Sequence, residues 1–400
     1  MKILYNVILK NKSSGYSVTH IREVLNNLSD MGNTIITLDG IYSKYTPSAN
    51  NEKSIFRVNL YKHLPSSGIT LILSMFMAEL YHFYLGFNII LKKRRSDVIY
   101  TRHVIFDMSW LLGFLFNIPL VKEVNGISVD EMGVAHRSNK IILWFLNKTE
   151  RFTISKSNRI IVVTKGLGDL LIDKYNIANN KIIVIENGVN TDIFQPANIT
   201  LTKAKLNLDI DTNYICFVGY LASWQGVEYF IKALPYVIKY FSNTKALIVG
   251  DGPMKDELAA LANQLDVVDK IIFVGKIPYN QVPLYINASE ICVTPKKPLR
   301  SGYSPLKLCE YLACSKPVIA TRTNGFELLE ENNAGLLINP ENQQEFADAI
   351  NMLLKDPVLR QRMGENGRKY VLEDRSWESV ARKVAKVCED AIQAHKKHNI

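Results

Sequence analysis

The sequence predicts an α/β protein built from two domains, each with a parallel sheet covered on both faces. Short, β-branched apolar runs alternate with segments of helical apolar spacing, the pattern of buried parallel strands and covering helices. The alternation gives way to a polar stretch, 196–213, and then begins afresh. A chain of 400 residues also exceeds what one hydrophobic core ordinarily organises.

Taken in order, 2–9 is the first strand, and its apolar part is too short and too early for a signal peptide. A polar loop holding Gly15 follows. Ile21, Val24, Leu25, Leu28 and Met31 then recur at helical spacing until Gly32 ends the helix. Further strands are expected at 34–39, 54–59, 97–101, 119–124, 159–164 and 181–186. The most apolar run, 69–91, precedes Lys92-Lys93-Arg94-Arg95. Glu79, His82, Gly86 and Asn88 within it favour a buried or membrane-facing helix pair over a membrane span. With the apolar patches 110–116 and 141–145, this basic cluster suits docking on an anionic membrane surface. Each patch taken singly better suits a helix that covers the sheet.

Asn187-Gly188-Val189-Asn190 and the 196–213 stretch read as hinge and linker. The second set has strands at 214–218, 245–249, 270–274 and 290–294. Gly219, Gly250 and Gly275 directly follow the first three, putting pliable backbone at the sheet edge where open α/β sheets bind ligands. Trp377, Val380, Ala381, Val384, Val387, Cys388 and Ala391 trace one amphipathic helix that needs a partner surface. The tail from His395 to His398 is expected to fray.

Composition narrows the partners. Hydrophobic content of 47% with 22% charged residues excludes a disordered chain, and a net charge of +10 favours anionic ligands. No nucleic-acid motif accompanies that charge. The five cysteines are scattered, form no C-x-x-C pair and read as reduced core residues of a cytoplasmic protein.

The chemistry is concentrated in Ser301-Gly302-Tyr303-Ser304-Pro305-Leu306-Lys307-Leu308-Cys309-Glu310, read as a loop entering a helix. Ser304 suits an N-cap and Pro305 the first helical position. Lys307 and Glu310 share one helix face. Backbone N–H groups at 302–304 and 306, with Lys307, would suit a phosphate, and Glu310 would suit a ribose diol. The same stretch would also suit an exposed helix with an ordinary Lys–Glu pair.

Phe217-Val218-Gly219, Gly250-Asp251-Gly252-Pro253, the 302–310 stretch and Lys316-Pro317-Val318-Ile319-Ala320 together resemble the donor domain of the retaining glycosyltransferases of family 4. Ile185-Glu186-Asn187-Gly188-Val189-Asn190 resembles that family's hinge region, and the similarity runs from about residue 2 to about 380. The resemblance implies the glycosyltransferase B fold, two Rossmann-like domains facing a cleft. It sets a first, acceptor-binding domain at 1–190, a nucleotide-sugar domain at 191–376 and a last helix, 377–400, crossing back to the first domain.

It also implies transfer of a sugar from a nucleoside diphosphate sugar to a glycan or lipid-linked acceptor, with retention, no metal and no cofactor, in surface polysaccharide or glycoconjugate synthesis. That work would be cytoplasmic, peripheral to the membrane's inner face. Lys307, Glu310 and Asn125 are the implied catalytic residues. Gly15, Gly219, Tyr220, Gln225, Gly250 and the loop Gly275, Lys276 and Ile277 would bind the donor, together with Gly302, Tyr303, Ser304, Pro305 and Leu306. Arg102, Asn125 and Gly126 would face the acceptor.

The chain departs from the family pattern at four places. Gly302 stands where the first glutamate of E-x7-E belongs, Tyr220 and Gln225 replace two usual cations, and Asn125 replaces a histidine. Lys307 would then carry more of the charge, helped by Lys276, Lys296, Lys297 or Arg300. The only Asp-x-Asp, Asp209-Ile210-Asp211, reads as a turn. Two other readings on the same fold are a degenerate scaffold subunit and a nucleotide-sugar epimerase or phosphorylase.

Overall fold

The computed structural model describes residues 1–6, 16–38, 40–41, 69–92, 95–129, 140–304 and 306–398. The chain forms two compact units, Met1–Glu186 with Val380–Ile400, and Asn187–Ser379.

In the first unit the strands are β1 (Lys2–Tyr5), β2 (Thr34–Thr37), β3 (Gly40–Ile41), β4 (Val98–Arg102), β5 (Leu120–Val124), β6 (Arg159–Val162) and β7 (Ile182–Val184). Their order is β3-β2-β1-β4-β5-β6-β7, parallel except for the short antiparallel β3. The helices are α1 (Tyr16–Asp30), α2 (Ile69–Leu91), α3 (Ser109–Phe116), α4 (Lys140–Ser155) and α5 (Lys165–Tyr175). α5 shows how local sequence sets an element. Thr164 caps its start by accepting from Leu167 N–H at 3.1 Å, and Asn176 ends it in the left-handed region at φ 54°.

The 69–91 run is one helix of 23 residues rather than a pair. Gly86 does not turn the chain; it makes room for Leu112, whose Cδ1 would lie 2.6 Å from a Cβ there. No helix among the described residues is long and apolar enough to cross a membrane. The expected strand at 54–59, Gly15, Lys93, Arg94 and Pro305 lie outside the described residues.

In the second unit the strands are β8 (Asn213–Val218), β9 (Thr244–Val249), β10 (Ile271–Gly275), β11 (Ile291–Thr294), β12 (Val318–Thr321) and β13 (Gly335–Ile338). All pair in parallel, in the order β10-β9-β8-β11-β12-β13, the doubly wound 3-2-1-4-5-6 arrangement. The helices are α6 (Ile199–Lys205), α7 (Val227–Ile238), α8 (Lys255–Gln264), α9 (Val282–Asn287), α10 (Leu306–Ala313), α11 (Leu328–Glu331), α12 (Gln343–Lys355) and α13 (Pro357–Tyr370). β8, β9, β11 and β12 are buried almost throughout, which is why their sequences are continuously apolar.

Two expectations need correction, the linker and the tail. The 196–213 stretch is not a free linker: Asn198 caps α6, and buried Lys203 reaches Glu290 at 2.8 Å and the carbonyl of Thr212 at 2.8 Å. The 187–190 segment stands directly at the boundary between the two units and is fastened to the second, where Val189 N–H donates to Arg375 O at 2.9 Å. The tail does not fray. The last helix, α14 (Trp377–His398), is continuous, and His395 Nε2 lies 2.9 Å from Asn117 Oδ1. All five cysteines are buried and unbridged.

Candidate functional site

The second sheet changes direction between β8 and β11, the switch point where such sheets open a crevice. β8 runs out into Gly219, β9 into Gly250, and Gly250 N–H donates to Gly275 O at 2.9 Å, joining the three expected glycine turns along one edge. Gly219 has φ +150°, and a Cβ there would lie 2.6 Å from Lys307 Nζ. The glycine leaves the ammonium its place. Tyr220 is exposed and tilts against Trp224 at 6.4 Å between ring centroids. Lys276 is exposed, and Ile277 is half-buried beside the Val249 and Leu308 core.

α10 is no surface helix: every side chain from Lys307 to Ala313 is buried. The alternative of an exposed Lys–Glu pair therefore falls. Lys307 Nζ donates to Gln225 Oε1 at 2.8 Å and lies 4.1 Å from the centroid of the Phe217 ring. Its recorded partners are thus a neutral amide and an aromatic face. Burial, then repulsion from Lys296, push its pKa well below the usual lysine value, while Glu310 pulls the other way.

Lys296 follows β11 and is also buried, with Nζ 4.1 Å from the centroid of the Tyr303 ring. Burial lowers it to about 8. Elsewhere buried lysines meet carboxylates, Lys122 with Asp107 and Lys203 with Glu290, each at 2.8 Å. At the switch point neither lysine has an ion-pair partner among the described residues, an arrangement suited to an anion brought from outside.

Glu310 is 1% exposed; Oε1 accepts from the Tyr279 hydroxyl at 3.0 Å, and Oε2 has no hydrogen-bond partner among the described residues. Burial raises its pKa to about 7, against the pull of Tyr279 and Lys307. A buried carboxylate oxygen left open is suited to accept hydroxyls.

The backbone donors are fewer than expected. Gly302 N–H donates to Leu299 O and Tyr303 N–H to Asn324 O, both at 2.9 Å, and Gly219 N–H donates to Val249 O at 2.8 Å. These groups are spent on holding the loops. Ser304 is tied in too: its hydroxyl accepts from Asn187 N–H and its carbonyl from the Asn187 amide, both at 2.9 Å. Gly302 has φ +71°, with a would-be Cβ 2.9 Å from Asn324 O, so a glutamate does not fit this loop as built. Leu306 opens α10 and is half-buried.

Arg102, Asn125 and Gly126 lie in the first unit, at the C-terminal ends of β4 and β5. The Asn125 amide donates to Glu123 Oε1 at 2.7 Å, His20 Nε2 lies 3.0 Å from the same oxygen, and the Tyr100 hydroxyl donates to Oε2. Burial alone would raise the Glu123 pKa. The charge and hydrogen bond of His20, then the Arg102 charge, outweigh it and hold the carboxyl well below the usual range. Asn125 therefore helps to fix a buried carboxylate.

Residues 17–193 match the family model described as Glycosyltransferase Family 4, and residues 198–370 match Glycosyl transferases group 1. The chain belongs to the group 1, family 4 glycosyltransferases. This glycosyltransferase is similar to an uncharacterized glycosyltransferase of Methanocaldococcus jannaschii, 26% identical over 359 residues, covering 85% of this chain and 87% of the relative. It resembles sucrose-phosphate synthase from Thermosynechococcus elongatus with a TM-score of 0.71 at 20% identity, covering 98% of this chain and 99% of that one. It also resembles Anabaena HepE solved with UDP, with a TM-score of 0.70 at 16% identity, covering 98% and 100%. These structural likenesses establish the glycosyltransferase B fold.

Sequence reasoning missed one residue of the glycosyltransferase's second unit and left another undistinguished. Tyr279 holds Glu310, and its position after Ile277 in the Gly275 loop was its one signal. Lys296 was one of four helper cations, and only burial separates it from exposed Lys276 and Arg300.

Proposed function

We propose that the enzyme is a retaining, metal-independent glycosyltransferase that takes its sugar from a nucleoside diphosphate sugar. One observation carries the reading. α10 presents a buried lysine that forms no ion pair among the described residues and, one turn on, a buried glutamate with an open oxygen. Lys307 and Lys296 supply positive charge to the leaving diphosphate, and Glu310 accepts from the ribose hydroxyls. The sugar C1–O bond to the diphosphate breaks as C1 bonds to the acceptor oxygen, and the acceptor hydroxyl loses its proton. Charge builds on the leaving group, so preplaced ammonium groups act most strongly in the transition state. The HepE structure with UDP is in keeping with such a donor.

The acceptor in this reading is a glycan or lipid-linked sugar of surface polysaccharide or glycoconjugate synthesis, met at the cytoplasmic face of the membrane. The exposed side chains of Ile141, Trp144 and Phe145 on α4, and of Phe114 on α3, support it, as do neighbouring exposed Lys140 and Lys148. The Trp110 and Phe152 rings meet edge-on at 5.1 Å, bringing α3 and α4 together. A thermal-shift screen of UDP-, GDP-, ADP- and CMP-sugars tests the donor. A true donor at ~100 times its dissociation constant adds about 2.7 kcal/mol, and the diphosphate sugars should outrank the monophosphate one. Stabilisation by none of them would overturn the reading.

A further inference from the structure

We propose that the first unit carries a second oxyanion site, for a phosphate or phosphate monoester, at the N-terminal edge of its sheet. Lys156, Arg159, Lys181, the Ser157 hydroxyl and His395 build it. The residues stand where α4 hands over to β6, where the chain enters β7, and at the end of α14. They line a cavity of about 280 Å³, which is the liquid volume of about nine waters. That is room for a phosphate with a small organic substituent.

Three features point to an anion. The cavity's lining holds two lysines, an arginine and a histidine, and no carboxylate. The two lysines and the arginine make neutral contacts: Lys181 Nζ donates to Ser155 O at 3.0 Å, Arg159 to Asn158 O at 3.0 Å, and Lys156 Nζ lies 5.1 Å from the Phe152 centroid. Ser157, fully buried in the wall of the cavity, has a hydroxyl with no hydrogen-bond partner among the described residues. A buried hydroxyl is seldom left so. Burial, then the charges of Arg159 and Lys156, press the Lys181 pKa downward. One oxyanion would relieve that repulsion and take the serine's proton in a hydrogen bond. It would also fasten the end of α14 to the entries of β6 and β7, adding to the His395–Asn117 contact. The site lies at the sheet edge opposite the one that carries Arg102 and Asn125, so it is separate from the proposed acceptor groups.

The test uses inorganic phosphate on the full chain in a Lys307→Ala background, which removes the main cation of the donor site. Phosphate should raise the melting temperature above that in chloride at equal ionic strength. Lys181→Met and Arg159→Gln should each weaken phosphate binding at least tenfold by calorimetry, and Ser157→Ala severalfold. Without phosphate at low salt, Arg159→Gln should be no less stable than its parent, because it removes a repelled charge. No stabilisation by phosphate, or undiminished binding in the Lys181→Met/Arg159→Gln double variant, would overturn the site. Vesicles of phosphatidic acid, compared with phosphatidylcholine alone, identify the source. Binding that the same substitutions abolish and free phosphate competes away assigns a lipid headgroup, and phosphate binding without vesicle binding assigns a soluble phosphate compound. Failure here leaves the donor screen untouched, since that concerns the second unit.

Discussion

Glu310 should destabilise the empty enzyme, and the pH dependence gives the size of the effect. Its pKa is raised from 4.5 to about 7 in the fold, so between those values the native state holds a proton that the unfolded chain releases. Stability from this group is full below pH 4.5, falls as pH rises toward 7, and stays low above it. At 1.36 kcal/mol per pH unit, the charged, fully buried carboxylate costs about 3 kcal/mol at pH 8.5. Glu310→Gln removes that cost. For a unit of this size the change corresponds to roughly 6–12 °C in melting temperature. Melting of wild type and Glu310→Gln should therefore nearly coincide at pH 5 and separate at pH 8.5, with the variant higher. Donor binding should go the opposite way: the variant loses about tenfold to a hundredfold in affinity by calorimetry. A stability difference that does not change with pH, or a less stable variant at pH 8.5, would refute the reasoning.

Lys307→Ala should lower turnover about a hundredfold or more while weakening donor binding less, measured by steady-state kinetics against calorimetry. Gln225→Lys should partly restore turnover in that variant; alone it should weaken the fold, because the 2.8 Å contact with Lys307 would then join two ammonium groups. Gly302→Glu, which writes in the family's missing carboxylate, should lower stability by about 1–3 kcal/mol in a melting experiment and yield no gain in turnover. Replacing Ile141, Trp144 and Phe145 together with serine should weaken binding to anionic liposomes, and unaltered flotation would remove the membrane-facing role of α4.

The two sheets were legible because fully buried strands such as β8 and β9 must be continuously apolar, and Gly219 and Gly250 punctuate their ends. β13 was not picked out: Gly335-Leu336-Leu337-Ile338 is too short to distinguish from a helix end by pattern. The 196–213 stretch misled because its polarity suggested solvent, whereas Lys203 is buried against Glu290, a partner far away in sequence. At the site, Lys307 and Glu310 could be named from their spacing and the glycines beside them. Their burial could not, nor could the spending of the 302 and 303 N–H groups on Leu299 and Asn324. Those depend on loops meeting across the sheet, which no local window contains.

α14 has a consequence for how the enzyme is made. Val380, Ala381, Val384, Cys388 and Ala391 are buried, and from Val380 onward the helix belongs to the unit that begins at Met1. The part of the chain synthesised first is thus completed last. At about 5–20 residues per second, the nascent first unit must wait roughly 10–40 seconds for its final helix to leave the ribosome. Until then the surface that receives α14 stays open to solvent and to chaperones. Synthesis halted just before Val380 would leave a finished second unit joined to an unfinished first one.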